Sequence, residues 1–411
     1  MKTQILFVDD EPKILDGLRR SLRACRSEWE MYFATGGEEA LALMAQAPID
    51  VLVTDMCMPV MDGAELMRCV RSRYPGTVRI VLSGQFNKAA GLRAVAVAHQ
   101  FLSKPSEPSV IKSAVRHSLA VRELLTGDEI RRAAGAVGAL PFRPQTHAAL
   151  LQVLDQPDAA MEAIATVIER DAAVTAKILQ VVNSAFLGLP HHVSSILHAV
   201  QLLGLEDLKQ VALSAEIMVG FHIPPELREF PMERLHVHSQ LCARIAGRLP
   251  IPEPRTAQAV VGSLLHDIGK LVVACQVPGR FARICAAVDA GKQTWLEAEN
   301  EQLGANHAEI GGYLLGLWGL PEPIVEAVLS HHRPLPPPAD EWTVPEVVRV
   351  ANALAGEAEE RAAGVAVLER PELSPERLER LGCAGLLHGW REFATELGAQ
   401  LDSGERASPL A

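Results

Sequence analysis

Aromatic residues make up only 4% of this 411-residue chain, so its core must be packed from aliphatic side chains. No pair of its seven cysteines (25, 57, 69, 242, 275, 285 and 383) forms a CxxC motif. The count is odd, which argues against a disulfide framework and for free thiols in a reducing cytoplasm. There is no long run of Lys or Arg, and the net charge is -11, which argues against a general nucleic-acid surface. No apolar stretch of about 20 residues and no leader pattern precede the first strand-like run, so neither a membrane span nor a signal peptide is expected. What is present is ordinary for a cytoplasmic protein of two or three domains: 48% hydrophobic and 22% charged residues.

The stretch Val51-Leu52-Val53-Thr54-Asp55 is short, apolar and β-branched, as a buried strand requires. It ends on a carboxylate, and Pro59 stops smooth continuation. Strands are likewise expected at Gln4–Val8, Met31–Ala34, Val78–Leu82 and His99–Leu102. Helices are expected from Pro12, over Glu38–Ala45, over Gly63–Arg73, near Lys88–Ala98 and from about Pro108. Five strands alternating with five helices predict an α/β, doubly wound, five-stranded parallel sheet. Ligands gather at the carboxyl ends of such strands, where Asp9, Asp10, Asp55, Ser83 and Lys104 would converge. Clustered carboxylates suit a hard cation such as Mg²⁺, and an aspartate can act as a nucleophile toward phosphorus. A lysine and a hydroxyl can hold phosphoryl oxygens.

In these parts and in their order, residues 3–122 resemble the receiver domain of two-component response regulators. The resemblance implies that Asp55 is the phosphoacceptor. It implies Mg²⁺ held by Asp9, Asp10, Asp55 and the Cys57 backbone carbonyl. Ser83 and Phe101 take the switch positions, and Lys104 the phosphate-binding position. A cognate histidine kinase is implied as partner.

Val110 to Ile130 carries one apolar stripe at spacings of three and four, through Val115, Leu119 and Leu125. It predicts a helix running past residue 120 into an interdomain or homodimer contact. Gly127, Gly135 and Gly138 are expected to loosen the chain after it. The division predicted is 1–122 for the α/β domain, 123–138 for a helical connector, 139–356 for an all-α domain and 357–411 for closing helices, at Pro375–Leu381 and Ala384–Leu397, with a disordered end.

From Pro141 the pattern is helical throughout. Asp171 is a plausible N-cap for a helix from Ala172. Ile196–Leu203 and Leu205–Val219 flank Gly204 like a helix-turn-helix, but Lys209 is the sole Lys or Arg there, too few for phosphate contacts, so direct DNA binding is not expected. Further on lie His236 and His238, then His266-Asp267, His307 and His331-His332. Imidazoles with one aspartate make a reasonable metal set, although a single histidine is more often a hydrogen-bonded core residue.

With Glu169–Ala172, Asn183–Gly188, Ala199–Gly204 and Leu315–Pro321, this half resembles the HDOD branch of the HD superfamily of metal-dependent phosphohydrolases. HDOD domains are regarded as signalling modules without demonstrated catalysis. The resemblance puts His238, His266, Asp267, His307, His331 and His332 at ligand positions. Asn352 departs from it, standing where the active family has an aspartate, and the Gly-Tyr-Pro element of the cyclic-di-GMP-hydrolysing branch is absent. Two functions follow as expectations. The first is a receiver controlling an HDOD output that binds an unknown protein partner. The alternative is a receiver-regulated phosphohydrolase holding Zn, Mn or Fe, with no catalytic residue assigned.

Overall fold

The computed structural model describes residues 2–83, 97–104, 106–138, 140–156, 158–184, 192–213, 232–333, 341–363, 378–379 and 383–402. Strands β1 (Thr3–Val8), β2 (Trp29–Ala34), β3 (Val51–Asp55), β4 (Val78–Ser83) and β5 (Gln100–Ser103) form one parallel sheet in the order β2-β1-β3-β4-β5. Strand order reverses between β1 and β3, where Val8 pairs with Thr54. Their carboxyl ends therefore lie side by side at the switch point. β3 is buried along its whole length, as an inner strand covered on both faces must be.

Helices α1 (Pro12–Ser21), α2 (Gly37–Met44) and α3 (Gly63–Arg73) connect the strands. α3 starts where Asp62 accepts the Glu65 amide at 2.7 Å. Gly63 packs so tightly that a Cβ there would stand 2.2 Å from the Asp55 carbonyl oxygen. The helix expected near Lys88–Ala98 lies outside the described residues except for its last two positions, Val97 and Ala98, which the structure places in the turn before β5.

The expected long helix is two helices. α4 (Pro108–Arg122) stops at Glu123, and α5 (Asp128–Gly135) restarts after Gly127 as N-cap. The apolar stripe runs across the break because both pieces bury it within the chain. Val115, Val121, Leu125 and Ile130 are all at most 5% exposed. Nor is the connector loose. The Gly135 carbonyl accepts hydrogen bonds from the buried Arg79 guanidinium at 2.9 Å and from His99 Nε2 at 3.1 Å, and the Gly138 carbonyl accepts from Lys177 Nζ at 2.7 Å.

Beyond residue 140 the described residues form helices only. They are α6 (Pro144–Leu154), α7 (Met161–Ile168), α8 (Ala172–Asn183), α9 (Ile196–Leu213), α10 (Met232–Ala246), α11 (Arg255–Leu265), α12 (Ile268–Gln276), α13 (Pro278–Asp289), α14 (Trp295–Leu303), α15 (His307–Leu317), α16 (Glu322–Ser330), α17 (Val344–Ala363) and α18 (Leu387–Asp402). Asp171 caps α8, accepting the Ala173 amide at 2.9 Å. α9 is kinked at Gly204, whose φ of 73° suits glycine. Asn306 and Glu309 form a reciprocal capping box that starts α15. α10, α11, α17 and α18 share a second core around Leu241, Val348, Leu354 and Trp390. The run Arg255–Gln276 is long and apolar enough to cross a membrane, yet it is mostly buried in the helical core. The Pro-rich segment after Arg333, the helix expected at Pro375–Leu381 apart from Leu378 and Glu379, and the tail from Ser403 lie outside the described residues.

Candidate functional site

The sheet brings three of the predicted groups together. Lys104 Nζ lies 2.6 Å from Asp9 Oδ2 and 2.5 Å from Asp55 Oδ1. Burial opposes charge on Lys104, but hydrogen bonds and attraction from Asp55 and Asp9 outweigh it and raise the lysine's pKa. Asp9 is buried and accepts the Glu11 amide at 3.0 Å. Asp55 accepts the Cys57 amide at 2.9 Å, which fixes the turn after β3. Asp10 is exposed beside them. Ser83 ends β4, paired with Ser103 of β5. Phe101 is buried in β5. Against three carboxylates stands one ammonium, a charge and oxygen-donor set that fits a hard divalent cation.

The helical half brings a second constellation together. Asp267, His307, His331 and His332 place one ligand atom each within 4.8 Å of one another. His307 Nε2 is 3.1 Å from Asp267 Oδ1, 3.2 Å from His331 Nε2 and 3.0 Å from His332 Nε2. The close crossing of α12 over α15 makes this possible, since a Cβ on Gly269 would lie 1.9 Å from the His307 carbonyl oxygen. His238, His266 and Cys242 form an adjoining group within the same limit. Asn352 Oδ1 sits 3.1 Å from His238 Nε2, and His266 Nε2 is 3.6 Å from Asp267 Oδ2. His236 is buried and joins neither group.

Hydrogen bonds fix how these rings face. His266 Nδ1 donates to the Ser263 carbonyl at 2.7 Å and His331 Nδ1 to the Val328 carbonyl at 2.6 Å. Each ring therefore presents its Nε2 lone pair inward. His307 Nδ1 is held by Glu299 Oε2 at 2.7 Å, and His238 Nδ1 by Glu359 Oε1 at 2.9 Å.

Charge is arranged to match. Burial lowers His266 to about 4, and burial with repulsion from His307 lowers His332 to about 2, so both are neutral. Burial opposes charge on His307, but Glu299 and Asp267 hold it up at about 9. Burial also opposes charge on Asp267, yet Lys270, with Nζ 2.8 Å away, and the surrounding imidazoles keep its pKa well below the carboxylate range. The neutral rings of His266, His331 and His332 beside one ionised carboxylate, with His266 Nε2 lacking a hydrogen-bond partner among the described residues, fit a transition-metal ion once His307 gives up its proton.

Sequence reasoning missed Glu299, Cys242 and Glu359. Cys242 carried a signal, being four residues from His238 on one helical face. Glu359 lies seven residues, two turns, beyond Asn352. Nothing local marked Glu299.

Two families match the chain, one after the other. The response regulator receiver domain family matches residues 5–116 and the HDOD domain family matches residues 140–334. The chain is a response regulator that joins a receiver domain to an HDOD domain. It is 33% identical over 123 residues to the hydrogenase transcriptional regulatory protein HoxA of Cupriavidus necator, covering 29% of this chain and 25% of the relative. It is 32% identical over 109 residues to the response regulator GtcR of Aneurinibacillus migulanus, covering 26% of this chain and 44% of the relative. The chain thus spans less than half the length of either. In fold it is similar to the MmoQ response regulator from Methylococcus capsulatus, with a TM-score of 0.50 at 22% identity over 62% of this chain and 98% of the other.

Proposed function

We propose that Asp55 accepts a phosphoryl group and that this controls the HDOD domain as a protein-interaction output. The observation that carries the reading is Lys104 held between Asp9 and Asp55 at the switch point of the sheet. An Asp55 carboxylate oxygen attacks phosphorus, and the bond from phosphorus to the donor breaks. Lys104 is within reach of the oxygens that gain charge in that step. Asp9, Asp10, Asp55 and the Cys57 carbonyl are the residues to hold Mg²⁺, which when bound neutralises carboxylate and phosphoryl charge. Ser83 and Phe101 are the switch residues in this reading, and a histidine kinase is the donor. A small phosphodonor with Mg²⁺ should label the wild type and not Asp55→Asn; equal labelling of both would sink the assignment.

The output partner is a protein rather than DNA or a membrane, and the setting is cytoplasmic. Self-association as a homodimer belongs to the same reading, but the stripe through Val115 and Leu125 is covered within the chain, so it must use another surface. Sedimentation with and without phosphodonor tests it, and a monomer in both states at high concentration would remove it.

A second reading, a metal-dependent phosphohydrolase, is favoured by the cluster of Asp267, His307, His331 and His332. Zn, Mn or Fe suits that set, with His238, His266 and Asn352 beside it. Against turnover stands burial: His307 and His331 are 0% and Asp267 3% exposed, which leaves a substrate little approach among the described residues. Elemental analysis and phosphodiester assays on wild type and Asp267→Ala separate the readings. Stoichiometric metal with turnover lost in the variant would make this an enzyme.

A further inference from the structure

Strand β2 forms one edge of the sheet, with β1 as its single neighbour among the described residues. The Glu28 and Ala34 carbonyls accept the Thr3 and Asp9 amides, so the even-numbered residues here turn their backbone polar groups toward β1. By the alternation of a strand, Trp29, Met31 and Phe33 turn theirs outward. Such an edge is a template for a further strand, and six residues make it about 20 Å long. A cavity of about 760 Å³ lies along it, lined by Trp29, Met31 and Phe33 and by three cations, Lys2, Arg19 and Arg26. Glu30 is the one acid in that lining. The three cations are exposed, whereas Met31 and Phe33 are half-buried. The Arg19 guanidinium lies over the Phe33 ring, 4.5 Å from its centroid. Its ion pair with Asp16 is 3.8 Å long and half exposed, so it neutralises little. Lys2 Nζ donates to the Arg26 carbonyl at 2.8 Å, which ties the start of the chain to the turn Arg23–Ser27. Residues 17–27 hold four arginines and no acid, in a chain of net charge -11. Cations on an edge repel an identical edge, which guards against self-pairing. The same charge favours a strand that brings carboxylates.

We propose that β2 is a docking edge for an extended acidic segment of a partner protein, which adds to the sheet as a sixth strand. The outward backbone groups of Trp29, Met31 and Phe33 supply the main-chain hydrogen bonds, and Lys2, Arg19 and Arg26 select carboxylates. Apolar side chains at alternate positions of the segment meet Met31 and Phe33. This surface is separate from the HDOD output and from the phosphorylation site. Lys104 follows β5, at the opposite edge of the sheet.

The test is selection of a random peptide library, displayed on phage, against the full chain. Enriched peptides should be acidic, with apolar residues at every second position. The strongest is then synthesised and its affinity measured by calorimetry. Arg19→Glu with Arg26→Glu should weaken it about tenfold or more, in a protein whose circular dichroism matches the wild type. Methylating the peptide's backbone nitrogens one at a time should weaken binding at alternate positions only, because a strand bonds its neighbour with every second residue. That scan uses the wild-type chain, so it decides even if the double variant does not fold. A library that yields no binder, or binders that are not acidic, would overturn the proposal. So would full affinity in the folded double variant, or a methylation scan without a period of two. Sedimentation tests the other occupant. Self-association of the wild type that the double variant loses would make a second copy of this chain the occupant and overturn the partner.

Discussion

Lys104 shows how much one side chain can carry. It neutralises part of the repulsion between Asp9 and Asp55, and its position after β5 puts it where a phosphoryl group on Asp55 would sit. Lys104→Ala is expected to lower the rate of labelling by a small phosphodonor at least tenfold, by analogy with losing one preorganised electrostatic contact of about 10²-fold. Labelling at the wild-type rate would exclude that role. A different lysine carries a pH dependence. Lys177 is buried beside the Gly138 carbonyl, and burial with repulsion from Arg71 pulls its pKa from 10.5 down to about 7. In the unfolded chain Lys177 keeps its proton up to its ordinary value, so between those two pH values the unfolded state binds more protons. Stability should therefore rise with pH across that window, by at most about 1.4 kcal/mol per unit. Lys177→Met should flatten that part of a denaturation-versus-pH profile, and an unchanged slope would show that other groups set it. Asp9, Asp55 and Lys104 were legible in the sequence because each ends or directly follows a strand, and a strand end has a fixed place in this sheet. Glu299 and Glu359 were not, because helix packing alone brings them to His307 and His238.

At the scale of elements, close crossings hold the histidine cluster in register. α12 and α15 approach until Gly269 meets the His307 backbone. Gly269→Ala would drive a Cβ into a carbonyl that cannot rotate away. The expected loss is about 1–3 kcal/mol or more, as overpacking usually costs. Urea denaturation measures it, and a loss below about 0.5 kcal/mol, the range of ordinary surface changes, would mean the helices can slide. The connector follows the same logic. A period of three to four continues through Glu123–Gly127, and hydrophobic period alone does not distinguish one long helix from two that bury the same face. Thr126-Gly127-Asp128 held the stop signal, a glycine N-cap followed by acidic first-turn residues Asp128 and Glu129. The α/β sheet and the helical second half were legible because short continuous apolar runs that end on polar residues differ from apolar positions spaced by three and four. The Arg79–Gly135 contact was not, since a buried arginine in a strand has no periodic signature.

Across the whole molecule, α15 joins the histidine cluster to α4, the helix that comes after Lys104. Its first residue is His307, in the metal-type cluster. Near its last turn, the Gly316 carbonyl accepts from His117 Nε2 at 3.2 Å, and Val121 of α4 packs where a Gly316 Cβ would be. The nine-residue interval spans about 13 Å at 1.5 Å per residue. α4 begins at Pro108, four positions after Lys104, and one hydrophobic core runs from Ile5 through Val121 to Tyr313 and Leu317. A packed core has discrete arrangements rather than continuous ones, so a shift of α4 on phosphorylation must either repack α15 or separate from it. Hydrogen exchange reports which amides open. With phosphodonor and Mg²⁺, amides of Leu314–Leu317 should exchange faster in the wild type and stay unchanged in Asp55→Asn. Val121→Asp buries a charge against the Gly316 backbone and should give fast exchange there without any phosphodonor. If phosphorylation leaves those amides untouched while Asp55 is fully labelled, the signal does not travel through α15. The contact of Gln180 with the Ala98 carbonyl, at 3.3 Å, would then be the route to examine, because it joins α8 to the turn before β5 without involving α4.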